Sequence, residues 1–216
     1  MKTLFATDII GEKKRGVVMV KRIVITGGPC AGKTTALKSL SEAFSGMGYT
    51  VIVIPETATE LINAGISTKA LGSALQFQKC VTALQMKKEE VFLMGAEALN
   101  EEKVLLLLDR GLADSRAYLS DSEYEELLEF FGKSREEFVL PYDAVFHMTT
   151  AADGAEEFYT TANNTARTED PPEARMLDKR IIDAWSGHKN FYITDNSTDF
   201  EGKLRRLIEK AAAVLE

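Results

Sequence analysis

The stretch Ile23–Leu40, IVITGGPCAGKTTALKSL, decides the fold of this chain. It opens with a short β-branched run and closes with the apolar spacing of a helix. Between the two, GGPCAGKT at residues 27–34 fits the pattern G-x-x-x-x-G-K-[ST] in full. Glycines let the backbone turn so that successive N–H groups point at an anion, and the positive end of the following helix faces the same anion. The stretch therefore predicts a phosphate-binding loop between a strand and a helix.

Each residue of this loop has an expected role in holding a nucleoside triphosphate. Lys33 is expected to reach the β- and γ-phosphates, and the Thr34 hydroxyl to bind Mg²⁺. The other loop residues expected at the nucleotide are Gly27, Gly28, Pro29, Cys30, Ala31, Gly32 and Thr35. Cys30 has a second interpretation as a redox-sensitive thiol near a helix N-terminus, but a freely variable loop position is favoured.

Apolar runs and helical stretches alternate along the rest of the chain. After the strand at 23–26, strands are predicted at 50–56, 103–109, 143–148 and 190–195. Helices are predicted at about 57–66, 73–100, 112–131, 134–139 and 198–215. Strands separated by helices form a parallel sheet with right-handed crossovers, so we expect an α/β fold with a five-stranded parallel sheet between two helical layers.

One domain is expected over residues 19–216, preceded by an extension at residues 1–18. The segment Thr149–Pro172 interrupts the alternation, because it is polar and rich in Thr, Asn, Asp and Pro. Long segments without apolar periodicity are usually functional or disordered. We therefore expect a lid insertion at about 150–180.

The composition of the chain argues against some classes of binding partner. The chain has 216 residues, of which 45% are apolar and 27% charged, and its net charge is -7. A net negative charge argues against nucleic acid as a partner, and no apolar run is long enough for a membrane helix. Cys30 and Cys80 have no paired or metal-ligand spacing, which favours a reducing, cytoplasmic setting.

A second acidic site is expected at the end of the run KVLLLLD, residues 103–109. Asp109 is predicted to hold Mg²⁺ together with Thr34, although an aspartate here could also cap the next helix. The next residue is Arg110. Motor ATPases generally place a glutamate there to activate water, so a motor ATPase is disfavoured, and the absence of an N-K-x-D motif disfavours a translation-factor-like GTPase.

Four stretches carry a family resemblance: ITGGPCAGKTT, VIPETATELI, LLLLDRGLADSRAYL, and ARTEDPPEARMLDKRIIDAWSGHKNFYITDNSTDFEGKL. Over about residues 21–215 the chain resembles the AAA-like P-loop family that includes the nicotinamide riboside kinase domain of bacterial NAD regulators. The resemblance implies a kinase-like sheet with strand order 2-3-1-4-5, use of ATP or GTP with Mg²⁺, and phosphoryl transfer to a small hydroxyl-bearing acceptor.

The resemblance also implies roles for two residues at the strand ends. Glu56 is similar in position to the carboxylate that accepts the acceptor's proton in nucleoside kinases, although it could instead cap the next helix. Arg110 is similar to the arginine of the DR motif in those kinases, which faces the transferring phosphoryl group. A salt bridge at the rim of the site is the alternative for Arg110.

Further roles are implied outside the strand ends. Arg167 and Arg175 would close over the phosphates from the lid, and Arg175 has the alternative of fixing the lid helix through Glu173 or Asp178. Asn196 would contact the nucleotide base, unless the residues after it serve only to cap the last helix.

Four more polar residues receive weaker expectations. Gln78 and Gln85 share a helix face and resemble a glutamine that reads the acceptor base in some nucleoside kinases, but a solvated face is favoured. Asp114 and Arg116 are expected at the surface or behind the site.

The leading hypothesis is a Mg²⁺- and ATP-dependent phosphotransferase acting on a nucleoside-like acceptor. The alternative is a nucleotide-binding regulatory ATPase or GTPase without a small-molecule acceptor. The sequence leaves open the acceptor, the choice between ATP and GTP, and the oligomeric state.

Overall fold

A computed structural model of the chain describes residues 19–99, 101–158 and 170–215. Its centre is a five-stranded, all-parallel sheet with strand order β2-β3-β1-β4-β5. The strands are β1 (Met19–Thr26), β2 (Thr50–Ile54), β3 (Lys103–Asp109), β4 (Ala144–Met148) and β5 (Phe191–Thr194). The predicted α/β fold and the strand order 2-3-1-4-5 are confirmed. The predicted extension at 1–18 lies outside the described residues.

Eight α-helices occur within the described ranges. They are α1 (Lys33–Gly46), α2 (Thr57–Asn63), α3 (Thr68–Leu71), α4 (Ala74–Ala98), α5 (Asp121–Phe131), α6 (Arg135–Val139), α7 (Pro171–Trp185) and α8 (Phe200–Leu215). Short 3₁₀ helices span Leu112–Tyr118 and Glu156–Phe158. None of the helices in the described residues is long and apolar enough to cross a membrane.

The boundaries differ from the prediction where pairing or capping overrides the apolar pattern. β1 begins at Met19 rather than Ile23, because residues 19–22 pair with β3 from Lys103 onward. The helix predicted over 112–131 is two elements, since Ser120 caps α5 in a reciprocal arrangement with Glu123.

Two apolar clusters cover the two faces of the sheet. Alternate side chains of β1 point to opposite faces, as the strand period requires. Ile23 and Ile25 pack with buried residues of α1 and α8, whereas Val24 packs with α7 and with the 3₁₀ helix that follows β3. The result is three layers, with helices on both faces of a buried parallel sheet. A third apolar cluster packs α5 and α6 against the start of α4.

Helix α7 takes up the end of the region predicted as a lid. Asp170 caps its N-terminus in a reciprocal arrangement with Glu173, and prolines occupy its first positions, where no N–H is needed. Leu177, Ile181 and Trp185 are buried in the core. Residues 171–180 are therefore part of a packed helix, and residues 159–169 of the predicted lid lie outside the described residues.

Candidate active site

The predicted phosphate loop connects the end of β1 to the start of α1. Gly27 and Gly32 have φ of 141° and 86°, which side chains rarely tolerate. Neighbours also leave no room for a Cβ, which would overlap the Met148 carbonyl oxygen at Gly27 and the Phe200 ring at Gly32. The loop thus needs glycine for its own packing as well as for its approach to an anion.

Lys33 lies at the first position of α1, with only 5% of its surface exposed. Its Nζ donates to the carbonyl oxygens of Gly27 and Gly28, at 3.0 Å each. The ammonium group is therefore held against the first two residues of the loop. Thr34 and Thr35, the next two residues of the helix, are exposed.

A buried carboxylate on α7 fastens the loop from behind. Asp178 Oδ1 accepts from the N–H of Gly28 at 2.7 Å and from the N–H of Thr150 at 3.2 Å. Its Oδ2 lies 3.1 Å from Nε2 of the fully buried His147. From the sequence, Asp178 is expected only as a possible partner of Arg175, and no local pattern signals that α7 reaches the loop.

Asp109 and Arg110 lie at the carboxyl end of β3. Arg110 adopts a left-handed conformation with φ of 70°. Its Nε donates to Oε1 of Glu56, which follows β2, at 2.6 Å. The salt bridge proposed as the alternative role of Arg110 is thus present, and it joins the two residues predicted to be catalytic. A non-glycine residue in this conformation at a strand end is typical of functional sites.

The pKa values of the two acidic side chains at this edge, Glu56 and Asp109, are shifted in opposite directions. Burial raises the pKa of Glu56, but the charges of Arg110 and Lys33 and hydrogen bonds from Thr59 and Arg110 outweigh it and bring the pKa to about 2. For Asp109, burial and the nearby carboxylates of Glu56 and Asp114 raise the pKa and outweigh the lysine and arginine charges. Glu56 is thus a firmly ionised carboxylate.

The residues at the predicted Mg²⁺ site fit that ion. Asp109 Oδ1 is buried and has no hydrogen-bond partner among the described residues, as expected of an oxygen that a cation would complete. Among the described residues, no group of three His, Cys, Asp or Glu side chains is arranged for a metal. Mg²⁺ needs no such group, because it usually takes one or two protein oxygens and completes its shell with phosphate and water.

A cavity of about 390 Å³ opens beside the ion pair of Glu56 and Arg110. Its walls come from α2, α4 and the 3₁₀ helix Leu112–Tyr118. Apolar and aromatic side chains line much of it: Ile62, Phe77, Val81, Leu112 and Tyr118. Polar side chains on α4 line another part: Gln78, Thr82 and Gln85. An apolar pocket with a few convergent polar groups is the usual form of a small-molecule site.

The expectation of a solvated face for the α4 glutamines is wrong, since Gln78 and Gln85 are each only 5% exposed. Gln85 accepts from the Thr57 hydroxyl and donates to Glu89 Oε1 at 2.8 Å. The Gln78 amide makes no hydrogen bond with any described residue and lines the cavity. Gln85 is held by the protein, whereas Gln78 lines the cavity without a hydrogen bond to the described residues.

Asp114, predicted at the surface or behind the site, is buried and lines the cavity, but its carboxylate is engaged by the protein. It is 3% exposed and accepts from the Thr26 hydroxyl at 2.5 Å, from the Gly111 N–H at 3.0 Å and from Trp185 Nε1 at 3.1 Å. These bonds tie the end of β1 to α7. Arg116 is half-buried at the rim, with Nη2 3.9 Å from the Asp121 carboxylate.

The residues predicted to contact nucleotide from the lid and the last loop are engaged with the protein. Arg175 Nη1 donates to the Ala152 carbonyl oxygen at 2.7 Å, rather than to Glu173 or Asp178. Asn196 Nδ2 donates to the carbonyl oxygens of Thr150 and Asp153, at 2.8 and 2.7 Å. Arg167 lies outside the described residues. Their contacts with a nucleotide stay predictions.

Comparison with known proteins assigns the chain to a family. A family model described as an AAA domain matches residues 22–203, which include the phosphate loop, the Asp109 edge and the whole cavity wall. No curated protein matches the sequence. The match covers most of the chain, and the phosphate loop and parallel sheet are those of a nucleotide-binding P-loop protein. The chain belongs to the AAA domain family.

Proposed function

We propose that this protein is a Mg²⁺- and ATP-dependent phosphotransferase whose acceptor is a small, hydroxyl-bearing, nucleoside-like molecule. The observation that carries the proposal is the cavity, which ends at Glu56 and Arg110 on the same edge of the sheet as the phosphate loop. A protein that only hydrolyses nucleotide has no need of a second pocket for a small organic molecule beside the phosphates. Ligands of open α/β sheets bind at this carboxyl edge.

In this proposal the phosphate side is held by Lys33 and the N–H groups of the loop. Thr34 and Asp109 would hold Mg²⁺, which when bound neutralises charge on the phosphates. The acceptor oxygen forms a bond to the γ-phosphorus while the bond from that phosphorus to the β–γ bridging oxygen breaks. Arg110, together with Arg167, would neutralise charge on the transferring group.

Glu56 is suited to orienting the acceptor rather than to strong base catalysis. A carboxylate whose pKa is about 2 accepts a hydrogen bond from a hydroxyl but attracts its proton weakly. Phosphoryl transfer demands mainly alignment and charge neutralisation, so a weak base is sufficient. The proton would pass to Glu56 late, as the new P–O bond forms.

The charges around the cavity favour an acceptor without a phosphate of its own. The charged residues lining it are Glu56, Arg110 and Asp114. Glu56 and Arg110 are paired with each other, and Asp114 is satisfied by three hydrogen bonds. The described lining therefore supplies no cation beyond Arg110 for a second phosphate, which fits a nucleoside-like compound such as nicotinamide riboside better than a nucleotide.

One observation favours the alternative, a regulatory nucleotide-binding ATPase or GTPase. Glu56 is already engaged by Arg110, and a firmly paired carboxylate can serve as a structural latch. In that case the protein would bind nucleotide and hydrolyse it slowly, and no small molecule bound in the cavity would be phosphorylated.

A mass-spectrometric screen tests the proposal. The protein would be incubated with Mg-ATP or Mg-GTP and a pool of nucleosides, nicotinamide riboside and small hydroxylic metabolites. We expect one acceptor to gain a phosphoryl group, and Glu56→Gln to reduce that product about 100-fold or more. Glu60→Gln, which alters an exposed carboxylate on α2, is the matched control and should leave the product unchanged. Formation of ADP or GDP with no phosphorylated acceptor would support the regulatory alternative.

Nucleotide binding itself is tested separately by thermal unfolding. At about 100 times Kd, Mg-ATP should stabilise the wild type by about 2.7 kcal/mol, and Lys33→Ala should lose this stabilisation. Lys38→Ala, on the exposed face of α1, should keep it. A wild type that shows no shift with Mg-ATP or Mg-GTP would contradict the assignment of the loop.

A further inference from the structure

Lys203, in the first turns of α8, is buried behind the phosphate loop. Only 2% of its surface is exposed. Its Nζ donates to the Thr149 carbonyl oxygen and to Asn196 Oδ1, at 2.7 Å each, and lies 3.4 Å from the carbonyl oxygen of Ala31. All three acceptors are uncharged. Ala31 belongs to the loop predicted to hold phosphate, so α8 reaches that loop with an ammonium group.

The charged groups that face Lys203 do not neutralise it by direct contact. Asp178 on α7 directs its carboxylate to the N–H groups of Gly28 and Thr150 and to His147. Asp195, after β5, directs its carboxylate to Ser197 and Arg206. Arg206 on α8 adds a second positive charge. A buried ammonium group is costly when all its hydrogen-bond acceptors among the described residues are neutral oxygens, and an anion close by would relieve that cost.

The contact between Lys203 and the Ala31 carbonyl oxygen affects the direction of the next N–H group, that of Gly32. In a trans peptide the C=O and the N–H point in opposite directions. A donor on the Ala31 carbonyl oxygen therefore favours an orientation in which the Gly32 N–H points the other way, toward the concave side of the loop. Hydrogen bonds in such a chain also polarise one another, which strengthens the N–H as a donor.

We propose that Lys203 is a positioning residue of the nucleotide site: it orients the Ala31–Gly32 peptide for binding, and the polyphosphate of the bound nucleotide is the counter-charge of its buried ammonium group. The inference rests on nucleotide binding by the loop, but not on transfer to an acceptor. It assigns a role to a lysine for which the sequence predicts none.

A pH dependence follows from this arrangement. Burial lowers the pKa of Lys203 to about 8, with Asp178 and Asp195 opposing the shift and Arg206 adding to it. A bound polyphosphate favours the charged lysine and raises this pKa. Above about pH 8 the free protein therefore loses a proton that the complex retains, so binding takes up a proton. Affinity for nucleotide falls as pH rises, with a limit of about tenfold per pH unit for one proton.

The test is calorimetric titration with ADP and Mg²⁺ between pH 7.5 and 9.5. The parent is the wild-type protein, and Lys203→Arg changes no other side chain, so a difference between their two pH profiles belongs to position 203. We expect the affinity of the parent to fall about tenfold over this range and that of Lys203→Arg, which stays charged, to remain flat. Lys203→Met should bind at least about tenfold more weakly already at pH 7.5. Lys210→Met, on the exposed face of the same helix, should behave as the parent.

The same experiment gives a result that needs no variant of Lys203. Titrations of the parent in two buffers with different ionisation enthalpies count the protons exchanged, and at pH 8.5 an uptake of about 0.7 proton is expected. An uptake of zero, or equal pH profiles for the parent and Lys203→Arg, would overturn the role of Lys203 while leaving nucleotide binding intact. Failure of the parent to bind ADP would overturn the nucleotide site and this inference together.

Discussion

The phosphate loop and the cavity meet at Glu56 and Arg110, but they are built from different parts of the chain. The loop consists of consecutive residues that act through backbone groups, and its glycines are required by φ angles and by contact with Met148 and Phe200. The cavity consists of side chains from several elements that are far apart in the sequence. A site made from backbone leaves a fixed motif in the sequence, whereas a site made from side chains leaves only scattered polar residues.

The largest effect is expected at Gly27 in the phosphate loop, where the backbone leaves no room for a side chain. Gly27→Ala places a Cβ against the Met148 carbonyl oxygen at a φ of 141°, so the substitution should cost at least about 3 kcal/mol of unfolding free energy and abolish nucleotide binding. Urea denaturation and the Mg-ATP thermal shift measure the two effects. Gly46→Ala, where a Cβ meets open space, is the control. Normal nucleotide binding by Gly27→Ala would contradict the packing argument.

The next effect concerns the ion pair that joins the two sites. Glu56 has a folded pKa of about 2 against an ordinary value of 4.5, and both partners of the pair are mostly buried, so ionised Glu56 contributes up to about 3 kcal/mol. Because the folded pKa is depressed, this stability is present above about pH 4.5 and is lost as pH falls toward 2.

Glu56→Gln should therefore be about 2–3 kcal/mol less stable than the wild type at pH 7, with the difference shrinking below pH 4.5. Urea titrations from pH 7 to pH 3 measure it. Glu60→Gln, whose carboxylate is 44% exposed and pairs with Lys88, should lose less than about 1 kcal/mol. A loss at Glu56 that is independent of pH would show that the missing contacts, not the charge, account for the difference.

The sequence predicted the sheet and the phosphate loop because both depend on local patterns. Apolar runs alternate with helical spacing, and the loop residues are contiguous. It did not predict that Asp178 supports the loop or that Lys203 lies behind it, because those contacts depend on how α7 and α8 return to the sheet. The predicted solvated face for Gln78 and Gln85 was wrong, because a helical pattern does not distinguish a polar residue that faces a cavity from one that faces water.

The third prediction separates the two glutamines of the side-chain site. Gln85→Leu removes the partner of Thr57 and Glu89 in a buried network and should cost about 1–3 kcal/mol of stability. Gln78→Leu removes a buried amide that has no hydrogen-bond partner among the described residues, and it should leave stability within about 0.5 kcal/mol.

Relative to the stability that each variant loses, Gln78→Leu should impair activity more than Gln85→Leu. If the cavity holds the acceptor, Gln78→Leu raises the KM for that acceptor about tenfold while the KM for ATP stays unchanged. Urea denaturation and steady-state kinetics on both variants provide the four values. Equal losses of stability for both variants, or a change in the KM for ATP alone, would contradict the division between a supporting and a ligand-facing glutamine.

The smallest effect is expected at a glycine that neither site needs. Gly95 lies inside α4 and is exposed, and a Cβ added there would have no neighbour within 4 Å, so Gly95→Ala should gain about 0.5–1 kcal/mol from helix propensity alone. Gly72 has equally open surroundings but a φ of 66°, and Gly72→Ala should lose stability for that reason only. Urea denaturation of both variants separates backbone conformation from space. Since neither change touches the loop or the ion pair, the Mg-ATP thermal shift should persist in both, and its loss in Gly95→Ala would mean that α4 couples to the phosphate side.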